Sequence, residues 1–266
     1  MVRSLVEQQF GAHARAYATS PVHAKGESLA RLVELARPQP SWSVLDVATG
    51  AGHTAAAFAP HVARVVAADI TVEMLAEAGK LAAARGLTNV ETVRAAADAL
   101  PFADAGFDAV TCRIAAHHFP DPAAFVREAA RVLKPGGVLA LDDNVAPDAA
   151  LLPAYPAAEI EAAAAAYNAF ERKRDPSHLR ALPLAEWCGL AEAAGLAIEH
   201  TETMTKAMDF DSWARRLGAA DGAVGELTRE LAGAVGALRD FLKPALRGDK
   251  PSFVLTEGIL IARKPA

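Results

Sequence analysis

The stretch Val44-Leu45-Asp46-Val47-Ala48-Thr49-Gly50-Ala51-Gly52 sets a short apolar run against an acid and then a glycine turn. It reads as a strand feeding a nucleotide-binding loop. Gly50 and Gly52 lack a Cβ, so they can take positive φ and let a ligand lie against the backbone. Read on through His53, Thr54 and Ala55, the loop also fits the relaxed dinucleotide fingerprint G-x-G-x-x-A. The glycines therefore do not choose the ligand, and the acids around them must.

Asp46 stands at the strand end, where its carboxylate is expected to point into the ligand site. A dinucleotide would bring two negative charges there and be repelled by about 1 kcal/mol or more at an effective dielectric of ~20. S-adenosylmethionine carries an ammonium and a sulfonium, which the same carboxylate attracts. Two more apolar segments end in acids: residues 64–68 stop at Asp69, and residues 90–97 stop at Asp98. In a parallel sheet such ends line one crevice at the carboxyl edge. Asp69 is placed to accept both ribose hydroxyls, a role that dinucleotide proteins share. Asp98 is placed for the adenine amino group, Ile70 and Met74 flank the ring, and Thr49, Gly50, Gly52 and Ala99 complete the cofactor set.

Asp46-Val-Ala-Thr-Gly-Ala-Gly, Asp69, the run Ala97 to Phe102 and Leu133-Lys-Pro-Gly-Gly137 together resemble the class I S-adenosylmethionine-dependent methyltransferases. Phe107-Asp-Ala-Val followed by His117-His118-Phe119 is similar to the branch that includes quinone-biosynthesis and other small-molecule methyltransferases. Ala48 departs from the pattern, since the family often has glycine there, and narrows the room at the loop. The resemblance covers residues 40–145, and substrate choice lies mostly outside it. It implies an α/β fold: a Rossmann-like, seven-stranded, mostly parallel sheet with helices on both faces, an antiparallel last strand and a helical insert after the fifth strand. It also implies transfer of a methyl group from S-adenosyl-L-methionine to a carbon, oxygen or nitrogen of a small organic acceptor, leaving S-adenosyl-L-homocysteine.

Independently of the resemblance, helical and strand signals alternate between Val44 and Asp142, as βαβ units require. Thr71 is expected to cap a helix whose stripe is Met74, Leu75, Ala78, Leu81 and Ala82, and Gly86 to end it. Another helix is predicted from Pro122 to Leu133, stopping at Lys134-Pro135-Gly136-Gly137 before a buried strand over Val138–Leu141. A helix-like insert over 149–194 interrupts the alternation. A strand over Leu196–Thr203, a helical stretch over Gly222–Leu246 and a β-rich segment over Ser252–Ile261 follow. We therefore expect a single domain, 1–266, with an N-terminal helical cap (1–40), a cofactor-binding core (41–145), a helical substrate insert (146–195) and C-terminal helices and edge strands (196–266).

Composition fits a soluble enzyme: 52% hydrophobic residues suffice for a core, and a net charge of −5 without a long basic run argues against nucleic acid as substrate. No segment approaches the ~20 unbroken apolar residues of a membrane span. The first residues mix charge and amides where a signal peptide needs an apolar stretch, so the cytoplasm is the expected location. Cys112 and Cys188 have neither disulfide-framework nor metal-site spacing, and no metal is expected. The expected partner is a small-molecule methyl acceptor, with the chain a monomer or homodimer and no membrane involved.

Methyl transfer gains most from positioning, worth about 7 to 11 kcal/mol, and needs a base only where the nucleophile keeps a proton. His117 and His118 follow the fourth apolar segment and are the candidate bases. Either could instead hydrogen-bond backbone in the turn before Pro120. Arg113 pairs with the methionyl carboxylate or lies solvated at the surface. Strand alternation turns one of Asp142 and Asp143 to the crevice, and Asp143 or Asn144 would orient an acceptor amine or hydroxyl, unless they cap a turn. In Arg174-Asp175-Pro176-Ser177-His178 the turn explains Asp175 and Pro176, leaving Arg174 and His178 to contact substrate if the insert covers the crevice. Tyr17 either closes over the methionyl end or packs on the domain, and packing explains His13, as it does Trp187 and Trp213.

The acceptor reading leans to a phenolic or enolic carbon or oxygen. The alternatives are an NAD(P)-dependent oxidoreductase, which leaves Asp46 and Asp98 unexplained and lacks a Tyr-x-x-x-Lys pair, and a non-catalytic S-adenosylmethionine-binding protein. Asp69→Ala is predicted to remove two charge-assisted hydrogen bonds and weaken cofactor binding by roughly 3 kcal/mol. Calorimetry checks this, and unchanged affinity removes Asp69 from the site.

Overall fold

Strands that are covered on both faces need near-continuous apolar runs, and strands at a sheet margin alternate. Both patterns occur here. In this computed structural model, which describes residues 4–18, 26–217, 220–245 and 251–266, seven strands form one sheet. They are β1 (Ser43–Val47), β2 (Arg64–Asp69), β3 (Val90–Arg94), β4 (Phe107–Arg113), β5 (Leu133–Asn144), β6 (Ala197–Asp209) and β7 (Ser252–Arg263). Their order is β3-β2-β1-β4-β5-β7-β6, so the half-exposed β3 and β6 are the margins. Neighbours pair in parallel except β7, which runs antiparallel to both β5 and β6.

The strand order reverses beside β1, whose two neighbours are β2 and β4. In open α/β sheets that switch point, at the carboxyl edge, is where a ligand crevice forms. One face of the sheet packs Leu45, Val47 and Cys112 against Phe125 and Ala129 of helix Pro122–Val132 and Trp187 of helix Leu184–Ala193. The other packs Val44, Val65 and Ala109 against Leu32 of helix Glu27–Ala36 and Phe58 of helix His53–Phe58. A separate cluster joins the insert helix Ala157–Arg174, through Tyr167 and Phe170, to Trp213, Leu227, Phe241 and Phe253. Trp187 and Trp213 are each 1% exposed, core residues as expected. Phe10 and Ala14 of helix Leu5–Ala18 rest on Ala51 and Met74, which seats that helix on the glycine loop.

Several element boundaries differ from the sequence reading. β3 stops at Arg94: Ala95 N–H donates to Asp69 O, and Ala96 bridges Ala99, so Asp98 sits in a turn past the strand. Thr71 is at the N-cap of helix Val72–Ala84 but makes no side-chain cap; its backbone N–H donates to Asp69 Oδ1 at 2.8 Å. Gly86, at φ 67°, follows the helix end as expected. Lys134-Pro135-Gly136-Gly137 lies within β5 rather than before it, beside a register shift opposite Phe107 and Ala109. The stretch expected as one helix over 222–246 is two, Asp221–Gly233 and Gly236–Leu242, parted where Gly233 and Gly236 weaken helix propensity. β6 continues to Asp209 because β7 pairs with it as far as Ser252. Among the described residues no helix is long and apolar enough to cross a membrane.

The glycine loop has an unusual backbone. Ala48, Gly50 and Gly52 have φ of 53°, 54° and 84°. A Cβ on Gly52 would lie 2.8 Å from Ala78 Cβ, so only glycine lets the loop meet helix Val72–Ala84. Ala48 holds the left-handed conformation with a side chain, at a cost of roughly 1–2 kcal/mol. Ala48→Gly is therefore predicted to stabilise the fold by about 1 kcal/mol after allowing for glycine's greater unfolded-state entropy. Urea unfolding measures it, and an unchanged or lower midpoint refutes the strain assignment.

Candidate active site

Asp46 does not point into a cavity. Alternation along β1 places it on the face of Val44, where Thr111 of β4 is its register partner and Thr49 folds back over it. It is 1% exposed: Oδ2 accepts from Thr49 Oγ1 at 2.5 Å and Ala55 N–H at 3.1 Å, and Oδ1 accepts from Thr111 Oγ1 at 2.7 Å. Burial pushes its pKa up to about 6, against those hydrogen bonds and the charge of Arg113. The expectation that Asp46 greets the ligand directly is thus corrected. Its partners are all donors of the chain itself, and it fixes the loop from below.

Above the loop lies a cavity of about 410 Å³, within the range of small-molecule sites. Thr49, Gly50, Asp69, Ile70, Met74, Asp98 and Arg113 line it. Gly52 and Ala99 do not; Gly52 serves the loop turn instead, its N–H donating to Thr49 O at 2.9 Å. Asp69 Oδ2 accepts from Gly50 N–H at 2.8 Å, and burial raises its pKa against these backbone bonds. In a dinucleotide site the pyrophosphate is bound by loop N–H groups and a helix N-terminus. Here Gly50 N–H is taken by Asp69, and Ala55 N–H, in the first turn of helix His53–Phe58, is taken by Asp46. A phosphate would find both of those donors engaged within the chain, with the Asp69 carboxylate at the cavity wall. Asp46 therefore does not itself choose the ligand; what distinguishes this loop is that two of its N–H donors are engaged within the chain.

A second, smaller compartment of about 60 Å³ adjoins the first and shares Phe10, Arg113, Ile114 and His118 with it. Ile114 holds a left-handed backbone at φ 51°, its N–H donating to Asp142 O at 2.7 Å. Asn144, Arg174 and His117 line the smaller compartment, and Arg174 lies over the Trp213 ring at 4.9 Å. His117 and His118 sit on one 3₁₀ turn, Ala116–His118, with ring centroids 4.2 Å apart.

The two histidines have opposite environments. His117 Nδ1 is 2.7 Å from Asp143 Oδ1. Burial opposes its protonation, but the charge and hydrogen bond of Asp143, with Glu171 and Asp175, outweigh it and raise its pKa. His118 Nδ1–H donates to Ser177 O at 2.9 Å, which leaves Nε2 as the lone-pair nitrogen. Burial, then the neighbouring His117, lowers its pKa to about 3. The insert is tied to this turn, since Leu179 and Arg180 N–H both donate to His117 O.

Other expected site residues are placed differently. Asp142 and Asp143 line neither compartment, so Asp143 reaches the site only through His117. Burial, with the charges of Glu257 and Asp143 beside it, pushes Asp142 up to about 8 against the pull of Arg113. His178 is a correction: it is 2% exposed, lines neither compartment, and its Nε2–H donates to Asn168 Oδ1 at 2.8 Å. Asp175 stabilises the turn by accepting from Ser177 N–H. His13 Nδ1 contacts Gln9 O within its own helix, while the Tyr17 side chain lies outside the described residues. Sequence reasoning missed Phe10, Ile114, Lys206, Arg216 and Glu257. Strand alternation offered a signal for Lys206 and Glu257, but their meeting depends on the β6–β7 register.

This cavity at the switch point, with an acid at the end of β2 and a glycine loop held by Asp46 and Asp69, is the candidate ligand site. Residues 45–141 match the family model described as a methyltransferase domain. The chain is 38% identical over 212 residues to the uncharacterized methyltransferase YcgJ of Bacillus subtilis (strain 168), spanning 80% of this chain and 79% of that protein. A Bacillus halodurans C-125 structure described as a methyltransferase superposes with a TM-score of 0.82 at 38% identity, covering 91% of this chain and 100% of that one. The demethylmenaquinone methyltransferase of Thermus thermophilus is 43% identical over 111 residues, 41% of this chain and 50% of that protein. The chain therefore belongs to the class I S-adenosylmethionine-dependent methyltransferases.

Asp46→Ala is predicted to strand two buried hydroxyls and Ala55 N–H, destabilising the fold by about 3–5 kcal/mol. Denaturant unfolding measures it, and a loss below about 1 kcal/mol shows that the loop does not depend on this carboxylate.

Proposed function

We propose that the larger cavity holds S-adenosylmethionine and that the smaller compartment admits part of a small organic acceptor, methylated at a phenolic or enolic carbon or oxygen. The cofactor supplies the methyl group and the leaving sulfur. In this reading Asp69 accepts the ribose hydroxyls, Asp98 the adenine amino group and Arg113 the methionyl carboxylate, with Ile70 and Met74 against the ring. The observation that carries the proposal is the His117–Asp143 pair beside His118, at the boundary of the two compartments. Asp143 holds His117 by Nδ1, so Nε2 is the atom that takes the acceptor's proton. His118 stays neutral in the physiological range and offers a lone pair to orient an acceptor hydroxyl. The Thermus thermophilus relative named above supports a quinone-type ring acceptor by its name alone.

The test is transfer of an isotopically labelled methyl group from S-adenosylmethionine to a panel of phenols, enols and amines, read by mass spectrometry. Labelling of amines only would overturn the acceptor class. His117→Ala is expected to lower kcat by ~10²–10⁴ with cofactor affinity intact. A base must be deprotonated to act, so kcat/KM should rise with pH through a limb lying above 6.5, His117 being raised from that value. Asp143→Asn removes the charge that raises it and should move the limb to lower pH. A limb that stays in place in Asp143→Asn excludes His117 as the base.

A further inference from the structure

Two sets of segments wall the larger cavity. Asp69, Asp98 and Arg113 stand at the end of β2, in the turn after β3 and at the end of β4, along the carboxyl edge of the sheet. The remaining wall comes from the first turn of helix Leu5–Ala18, from the chain that follows His118 and from the insert, and it is mostly apolar: Leu5, Val6, Phe119, Pro120, Pro176 and Leu179. Phe10, one helical turn beyond Val6, sets its ring T-shaped to His118 with centroids 5.0 Å apart, so this apolar surface starts at the histidine turn. At its outer end Leu5 is 61% exposed and Leu179 is 42% exposed. Single exposed apolar residues are ordinary, but two on the lining of one cavity form a rim. Neither is a frayed end. Glu7 N–H donates to Ser4 Oγ at 3.2 Å, Ser4 N–H donates to Glu7 Oε2 at 2.9 Å, and Arg94 Nη2 donates to Glu7 Oε1 at 2.9 Å, which pins the first turn. Leu179 N–H donates to His117 O at 3.0 Å, and its carbonyl accepts from Arg172 Nη2 at 2.7 Å. Both backbones are fixed while both side chains are left to solvent.

We infer that this outer wall binds an apolar substituent of the methyl acceptor, carried on the side away from the methylated atom and reaching solvent between Leu5 and Leu179. The inference rests on the methyl-transfer reading for which end of the acceptor lies inside, but on the wall itself for the chemistry that it takes. None of the six wall residues offers a polar side-chain atom, so the wall gains from a ligand only by removing apolar surface from water. The occupant is therefore amphipathic: its reacting group meets the histidine turn, and its hydrocarbon covers Phe119 and the two prolines on the way out. A short polar acceptor would leave Leu5 and Leu179 wet whether or not it were bound. The wall is part of a cavity and is continuous with the histidine turn, a path that a substituent of a small molecule can follow and the face of a macromolecule cannot.

The test titrates 4-hexylphenol against 4-ethylphenol, and in parallel 1-octanol against 1-butanol, calorimetrically into full-length protein saturated with S-adenosylhomocysteine. Each methylene taken fully out of water strengthens binding about fourfold. The longer member of at least one series is therefore expected to bind about tenfold or more tightly than the shorter. Leu5→Ser and Leu179→Ser, both at exposed positions, are each expected to lower that ratio about threefold or more while S-adenosylhomocysteine affinity stays the same, which also reports that the variants are folded. A ratio below tenfold in both series, or one that neither variant lowers, overturns the inference. So does a rim substitution that weakens S-adenosylhomocysteine as much as the longer chain, since the wall would then serve the cofactor. If the alkanols alone show the preference, the phenolic reading fails and the apolar wall stands. If S-adenosylhomocysteine does not bind at all, the methyl-transfer reading fails, and the same chain-length comparison on the protein alone still decides what the wall takes.

Discussion

The fold of the site depends on one buried carboxylate. Asp46 gathers Thr49 from the loop, Ala55 from the following helix and Thr111 from β4, so three segments share a single acceptor group. Each bond to such a group is worth more than a neutral one, and the low dielectric that lifts its pKa also makes an unmade bond costly. With the loop so fixed, Gly50 N–H is brought to Asp69, and Gly52 brings the loop against Ala78. The shape of the cofactor cavity follows from those contacts.

The two compartments divide the chemistry. Acids and apolar surface line much of the larger one, while the smaller one gathers Arg113, Arg174, Lys206 and Arg216 beside Asp175 and Glu257. Between them stand two histidines that differ in charge preference though adjacent in sequence. The difference comes from their Nδ1 partners, a carboxylate for His117 and a backbone carbonyl for His118. Because that carbonyl belongs to Ser177, the insert sets the tautomer of a residue in the core turn, and the insert and the core form one site.

Much of the fold was legible in the sequence because the βαβ alternation, the apolar strands and the Gly86 helix stop are local signals. The boundaries that moved are those decided by tertiary contacts: β3 was cut short by the turn bridged by Ala96 and Ala99, and β6 was lengthened by β7. Asp69 and Asp98 were readable from their positions at segment ends. Asp46 was found but misdirected, since its polar surroundings come from Thr111, a residue of another strand known only through the register. His178 was a motif residue whose partner, Asn168, lies one helix earlier, and no spacing rule links the two. The cations of the small compartment, Arg113, Arg174, Lys206 and Arg216, come from separate elements, so their meeting was invisible before the fold.

The placement of β7 has a consequence for how the molecule is put together. It is encoded after β6 yet lies between β5 and β6, so β6 is joined to the rest of the sheet only through β7. That strand is the keystone between the outermost strand and the parallel part of the sheet. Because Glu257 belongs to that strand, the wall of the smaller compartment depends on the same strand pairing.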